Sequence, residues 1–297
     1  MFPSRGDYIP LKGWLFRSHS GAGRNVILVH GWNADRLGLE YPACDVAHDL
    51  VGHGYDVLLF DLRACEESGG ERFTLGNTEC RDVLGAYDFM RDGTAGSGYD
   101  VGQMAFIGVS MGGAALLRAS PEMKDVEAIV VDSAFAELRP LLEEKLPGRT
   151  SLPTFLNGPI LAAARVCYQL EPNLRPIEQV QSQPERAFLF FHGATDTIIP
   201  PEHSRRLREA SVHPASDLVV VPGADHGKNY DTDPAAYMQR IYQFFDTQLV
   251  VWGLTHVTTR GEQRIQIVMA GAAITEAPRR TTEADPHNRP QRLQSQT

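Results

Sequence analysis

Six short, β-rich apolar runs separated by helix-length segments leave this chain few architectures to fold into. The runs lie at residues 25–30 (NVILVH), 55–61 (YDVLLFD), 103–110 (QMAFIGVS), 127–133 (EAIVVDS), 187–193 (AFLFFHG) and 217–223 (DLVVVPG). Neighbouring positions within each run are apolar, which suits strands covered on both faces, as in a parallel sheet. Residues 41–52, 79–91, 112–118, 201–211 and 234–249 carry helical spacing, and Pro201 and Pro234 stand where a first helical turn accepts proline. This alternation predicts a doubly wound, mostly parallel α/β sheet.

Two regions depart from the rhythm. Residues 134–180 form a long insert containing AELRPLLEEKL and GPILAAARVCYQL, both readable as short helices, and are expected to cap the strand ends. Residues 250–275 can form a hairpin turning near Arg260 and Gly261, and residues 276–297 are polar and are expected to be disordered. One α/β domain commonly takes most of a chain of 297 residues, so the expected division is a single domain over 1–249 followed by a C-terminal extension.

Composition narrows the function classes. The apolar share of 42% and charged share of 22% fit a soluble globular protein. With 28 basic and 37 acidic residues the net charge is -9, which disfavours nucleic acid as a partner. Cys44, Cys65, Cys80 and Cys167 show no metal-ligand spacing, so no metal is expected and the thiols read as free in a reducing compartment. Pro3, Arg5, Asp7 and Pro10 interrupt the start before a secretory apolar run can form, and no run reaches the ~20 residues of a membrane helix. A cytoplasmic location is the expectation.

The sharpest chemical signal is Gly108-Val109-Ser110-Met111-Gly112. The bare pattern would arise by accident in about one chain of this composition in ten. Its context is what matters, because it lies between the apolar run MAFI and the helix-like GAALLRA. A nucleophile elbow needs a serine on that strand-to-helix turn, with glycines where backbones pass closely.

A serine hydroxyl is a poor nucleophile unless an imidazole oriented by a carboxylate removes its proton. The run AFLFFHGATD places Asp196 just beyond one strand, and VVVPGADH places His226 just beyond the next. Catalytic groups gather at the carboxyl ends of such strands, which puts Ser110, Asp196 and His226 at one edge. Their order along the chain is that of nucleophile, acid and base in this kind of fold. The oxyanion of a tetrahedral intermediate needs amide donors, expected from Met111 and from Trp32 in the turn after His30-Gly31, with the Trp32 ring as a wall.

Each assignment has a rival. Asp132 also ends a strand and could replace Asp196, whereas Asp225 reads as a turn residue. His30 and His192 precede glycines at strand ends and read as loop braces. Cys65 and Cys167 lack a base partner in the sequence and read as inert thiols.

The motifs ILVHGW, DVLLFDLR, FIGVSMGGAA, FHGATDTIIPPEHS and GADHG together resemble those of the α/β-hydrolase superfamily, and most closely its bacterial, small-cap, esterase-like serine hydrolases. The resemblance spans residues 25–249. It implies an α/β-hydrolase sheet, no cofactor, a small-molecule ester or related acyl substrate, and Ser110, Asp196 and His226 as triad. Gly31, Gly108 and Gly112 fall at the family's loop and elbow glycines. Esters of short to medium acyl chain are the first reading. Peptidase or acyltransferase chemistry uses the same triad, and a silent binding protein would not be expected to keep all three residues. The chain departs from the family at residues 61–69, DLRACEESG, where similar proteins read D-x-R-G-H-G-x-S. Similar proteins often carry further N-terminal sequence, so truncation at the start stays an open alternative.

Overall fold

The computed structural model describes residues 1–19, 23–38, 41–92 and 102–249, together with the backbone of 252–259 and 262–269. Met1–Val250 form one compact unit and Val251–Thr297 another.

In the first unit, strands β1 (Phe2–Pro3) and β2 (Pro10–Leu11) pair with each other ahead of β3 (Gly13–Phe16). Then follow β4 (Arg24–Val29), α1 (Ala43–Gly52), β5 (Asp56–Phe60), α2 (Cys80–Arg91), β6 (Gln103–Val109), α3 (Met111–Ala119) and β7 (Val126–Asp132). The insert contains α4 (Leu138–Thr150), a 3-10 turn (Thr154–Leu156) and α5 (Asn157–Tyr168), and α6 (Pro176–Gln181) leads out of it. The unit closes with β8 (Ala187–Gly193), α7 (Glu202–Ala210), β9 (Asp217–Val221), the single turn α8 (Asn229–Thr232) and α9 (Pro234–Gln248).

Among the described residues seven strands form one sheet in the order β3-β5-β4-β6-β7-β8-β9. β3 is antiparallel to β5, and all other pairs are parallel. The expected strands are all present, with ends within two residues of those read from the sequence.

Side chains alternate across each strand, and the core divides accordingly. Ile27, Val29, Phe106, Ile129, Phe188 and Phe190 pack on one face with Leu116 of α3 and Leu207 of α7. Val26, Leu28, Ile107, Val130, Leu189 and Phe191 pack on the other with Leu50 of α1 and Phe245 of α9. Doubly apolar runs are therefore required. Phe106 and Phe188 are wholly buried, and truncating either to alanine is expected to cost ~3–5 kcal/mol.

Helix α1 covers one face and α3 the other, although β4 and β6 are neighbours. The loops leaving these strands diverge, and such a switch point opens a crevice at the carboxyl ends. Gly31 and Ser110 lie on its two sides.

The insert rests on a small separate cluster of Phe135, Leu138, Leu141 and Leu174 with Ala114 and Ile199. Its two ends meet, since the Leu138 amide donates to the Leu174 carbonyl (2.9 Å) and the Ile177 amide to the Ala136 carbonyl (3.1 Å). Both helices read from the sequence are present, and α6 is an addition, opened by Pro176. Helix α5 buries only Asn157 and Leu161, while Phe155, Val166 and Tyr168 are exposed.

In the second unit β10 (Trp252–Thr259) and β11 (Glu262–Met269) form an antiparallel hairpin. The proposed turn at Arg260 and Gly261 and the polar segment 276–297 lie outside the described residues. Among the described residues no helix is long and apolar enough to cross a membrane, and no group of three metal-ligating side chains forms.

Candidate active site

Ser110 sits between the last residue of β6 and the first of α3 with φ 54° and ψ -119°. A non-glycine residue with positive φ is strained, and neighbouring contacts must hold it there. The Ser110 amide donates to the Asp132 carbonyl (2.8 Å), and its own carbonyl accepts from Ala114 (3.1 Å). A Cβ on Gly112 would stand 2.2 Å from the His30 carbonyl oxygen, and one on Gly108 would stand 2.9 Å from Gly113 Cα. The turn can be this tight only without those side chains. A Cβ on Gly31 would lie 3.2 Å from the Cβ of Ser110, which places the two loops in contact.

Ser110 Oγ lies 2.8 Å from His226 Nε2, and His226 Nδ1 lies 2.7 Å from Asp196 Oδ2. A carboxylate only accepts, so Nδ1 carries the hydrogen and the Nε2 lone pair faces the hydroxyl. Asp196 Oδ1 accepts from the amides of Ile198 (2.9 Å) and Ile199 (2.8 Å). Burial alone would raise the Asp196 pKa, but the His192 and His226 rings and the Ile199 amide outweigh it and hold the carboxyl below the usual range. Asp196 is therefore ionised at neutral pH.

The loops carrying Asp196 and His226 are fastened to each other. Thr195 donates from its amide (3.0 Å) and its hydroxyl (2.8 Å) to the Ala224 carbonyl. Asp225 Oδ1 accepts from the Thr197 amide (2.9 Å), the Thr197 hydroxyl (3.1 Å) and the His226 amide (2.8 Å).

Asp132 is buried but makes no hydrogen bond to His226. Its carboxylate accepts from Ser133 Oγ (2.8 Å), Asn229 Nδ2 (2.6 Å) and Tyr237 Oη (2.9 Å). Burial pushes its pKa up against those three donors. Asn229 follows His226 by three residues, so this buried network supports the histidine loop from behind.

On the other side of the crevice His30 Nδ1 donates to the Gly31 carbonyl (2.8 Å) and Nε2 accepts from the Leu62 amide (3.0 Å). Burial lowers its pKa to about 4, which leaves the ring neutral. The divergent loop at 61–69 grips the same region. Asp61 accepts from the Arg36 amide (2.9 Å) and pairs with its guanidinium, which also pairs with Glu67. The Cys65 thiol donates to the Ala34 carbonyl (2.9 Å), and burial pushes it up to about 12, far from reactive thiolate.

The Met111 amide opens α3 and has no intrahelical acceptor, and the Trp32 amide donates to no protein acceptor among the described residues. Trp32 itself is 59% exposed. Sequence reasoning missed the Asp225 brace, the Asn229 contact with Asp132 and the hold of Cys65 on Ala34. Only the position of Asp225 directly before His226 offered a signal.

The model of the Alpha/beta hydrolase family matches residues 26–279, most of the chain. The chain belongs to this family. Among curated relatives, the uncharacterized protein YqkD of Bacillus subtilis is 26% identical over 253 residues, covering 83% of this chain and 78% of that one. The uncharacterized protein YfhR of Escherichia coli K12 is 24% identical over 226 residues, covering 74% and 70%. Among solved structures, the Pyrococcus furiosus esterase Pf2001 superposes with a TM-score of 0.68 at 24% identity, covering 84% of this chain and 89% of that one. That likeness extends to the fold. For this hydrolase-family chain, it agrees with the mostly parallel sheet and its flanking helices.

Proposed function

We propose that the chain is a serine hydrolase that cleaves carboxylic esters of short to medium acyl chain through an acyl-enzyme. The observation that carries this reading is the continuous hydrogen-bonded line from Ser110 Oγ through His226 to Asp196, at 2.8 and 2.7 Å. Both contacts lie within the reach that proton transfer requires.

In this mechanism Ser110 Oγ attacks the ester carbonyl while its proton passes to His226 Nε2. The imidazolium is stabilised by the ionised Asp196, which keeps its charge throughout. The carbonyl oxygen becomes an oxyanion beside the Met111 and Trp32 amides, each donor of this kind contributing about 3 kcal/mol to the transition state. His226 returns the proton to the departing alcohol, and the acyl group remains on Ser110. Water then gives a proton to Nε2 and attacks the acyl carbonyl, and as the bond to Ser110 Oγ breaks His226 returns that proton to Oγ, releasing the acid. No cofactor takes part. The named esterase activity of the Pyrococcus furiosus neighbour is that protein's own, and its shared fold supports an acyl substrate here.

The test is labelling with a fluorophosphonate probe together with turnover of p-nitrophenyl acetate. The wild type should label and turn over, and Ser110→Ala should do neither while keeping its fold. Labelling of Ser110→Ala at another site residue would sink the assignment. Amide turnover exceeding ester turnover would move the reading to a peptidase.

A further inference from the structure

His192 is the penultimate residue of strand β8, four residues before Asp196, and its side chain is wholly buried. Its Nε2 lies 2.8 Å from the Ile199 carbonyl oxygen and 3.2 Å from Asp196 Oδ2. Neither oxygen can donate, so Nε2 carries a hydrogen. Its Nδ1 lies 2.6 Å from Ser204 Oγ, whose hydroxyl donates to it in the neutral ring. The N–H donates to the Ile199 carbonyl, and Asp196 Oδ2 lies beside the same nitrogen at 3.2 Å, close enough to feel its dipole.

That carboxylate oxygen is also the one that faces His226. Asp196 Oδ2 stands between two imidazoles, 2.7 Å from His226 Nδ1 and 3.2 Å from His192 Nε2. Its other oxygen is already held by two amides, which set the plane of the carboxylate without help from His192. What remains for His192 is electrostatic. We propose that His192 is a positioning residue that acts through Asp196, its N–H drawing charge from Oδ2 and so lowering the proton affinity of His226. This rests on the reading of Ser110, His226 and Asp196 as a triad.

The reasoning is a competition between donors. An oxygen that gives part of its charge to one N–H offers less to another, and a buried site magnifies the difference. Without His192, Oδ2 would hold the His226 imidazolium more tightly, and the base would stay protonated to higher pH. Other charged or titratable groups face this cluster. Asp132 approaches from β7, His203 from α7 with Glu137, Glu144 and Arg206 around it, and Asp225 from the loop after β9. From the insert, the Lys145 amine donates to the Thr197 carbonyl at 3.3 Å. All of these remain when His192 alone is replaced.

The experiment compares two substitutions in the full chain. His192→Asn keeps an acceptor for Ser204 but is too short to reach Oδ2, whereas His192→Gln can place an amide N–H where Nε2 stands. The His226 pKa is followed by NMR titration of its ring, and the lower limb of the kcat/KM profile is followed with p-nitrophenyl acetate. In His192→Asn both should rise together by about half to one unit, with plateau kcat within about tenfold of wild type. His192→Gln should return both to near the wild-type position. His192→Leu fills similar volume without polar atoms and carries the expectation of the Asn variant if that one does not fold. An unchanged or lowered His226 pKa in a folded variant lacking the donor would overturn the proposal, as would a folded Gln variant that behaves like Asn. The titration needs no substrate, so a shift in a protein without ester turnover would uphold this proposal and overturn the esterase reading.

Discussion

Asn229 donates from its side-chain amide to the Asp132 carboxylate across 2.6 Å, and both residues are buried. The bond ties the end of β7 to the loop that presents His226. Asp132→Asn turns one acceptor oxygen into a donor against Asn229, Tyr237 or Ser133. It should cost about 3 kcal/mol of stability while lowering kcat of the folded protein less than about tenfold. Asp196→Asn should act chiefly on catalysis, reducing kcat about 10⁴-fold. Thermal melts beside kcat for both variants decide it, and an interchange of the two patterns would make Asp132 the acid.

Asp225 should matter for alignment more than for stability. Its carboxylate holds the Thr197 and His226 amides together from an exposed position. In Asp225→Ala the loops of Asp196 and His226 lose that clasp, and on the proposed mechanism kcat should fall about tenfold with KM within about twofold, because small misalignments of reacting groups are costly. Steady-state kinetics on the purified variant give the answer; an unchanged kcat would show that the Thr195 bonds to Ala224 suffice.

Acid should weaken the protein through His30. The folded pKa of about 4 lies below the ordinary 6.5, so the unfolded chain takes up the proton first. That contribution is fully present above pH 6.5 and is lost as pH falls towards 4, amounting to about 3 kcal/mol. Asp196, held below the usual carboxylate range, gives up its contribution only at lower pH. His203, whose pKa burial also lowers, stays present in both proteins compared. Melting temperatures of wild type and His30→Gln between pH 7.5 and 4.5 should converge as pH falls. Parallel curves would contradict the neutral, buried assignment of this ring.

The substrate chain should be short. Helix α5 turns Val166 and Tyr168 outward and buries only Leu161 among its large apolar side chains, so the insert builds no deep apolar tunnel. Each methylene that finds a wall contributes about 0.8 kcal/mol, and one that overhangs contributes little. Values of kcat/KM for p-nitrophenyl esters should peak between acetate and about hexanoate. An optimum at dodecanoate would mean that the insert closes over long chains.

Much of this was legible in the sequence for a physical reason. A strand covered on both faces must be apolar at consecutive positions, and runs such as AFLFFHG meet that requirement. The elbow was legible because sterics restrict what a strand-to-helix turn accepts; Ser110 directly follows β6, and Asp196 and His226 lie in the short loops after β8 and β9. The edge strand Gly13–Phe16 was harder, being four residues long with Trp14 and Phe16 partly exposed. Asp132, Asn229 and Tyr237 were illegible as a network, because residues 97 and 105 positions apart meet only after the sheet has formed. Cys65 was read as inert, yet its hold on Ala34 depends on two loops whose approach no local pattern encodes.

The zipped stem at Leu138–Leu174 and Ala136–Ile177 means that the insert leaves the sheet and rejoins it at nearly one point. Whatever chain is strung between residues 139 and 173 imposes little strain on β7 or β8. Beyond Leu141, whose packing with Ala114 and Ile199 has to be kept, the segment can thus be lengthened or exchanged as a cassette while Ser110, Asp196 and His226 stay on β6, β8 and the loop after β9. A lineage built this way can change what it admits while conserving how it reacts, and a protein engineer can graft at the same two joints.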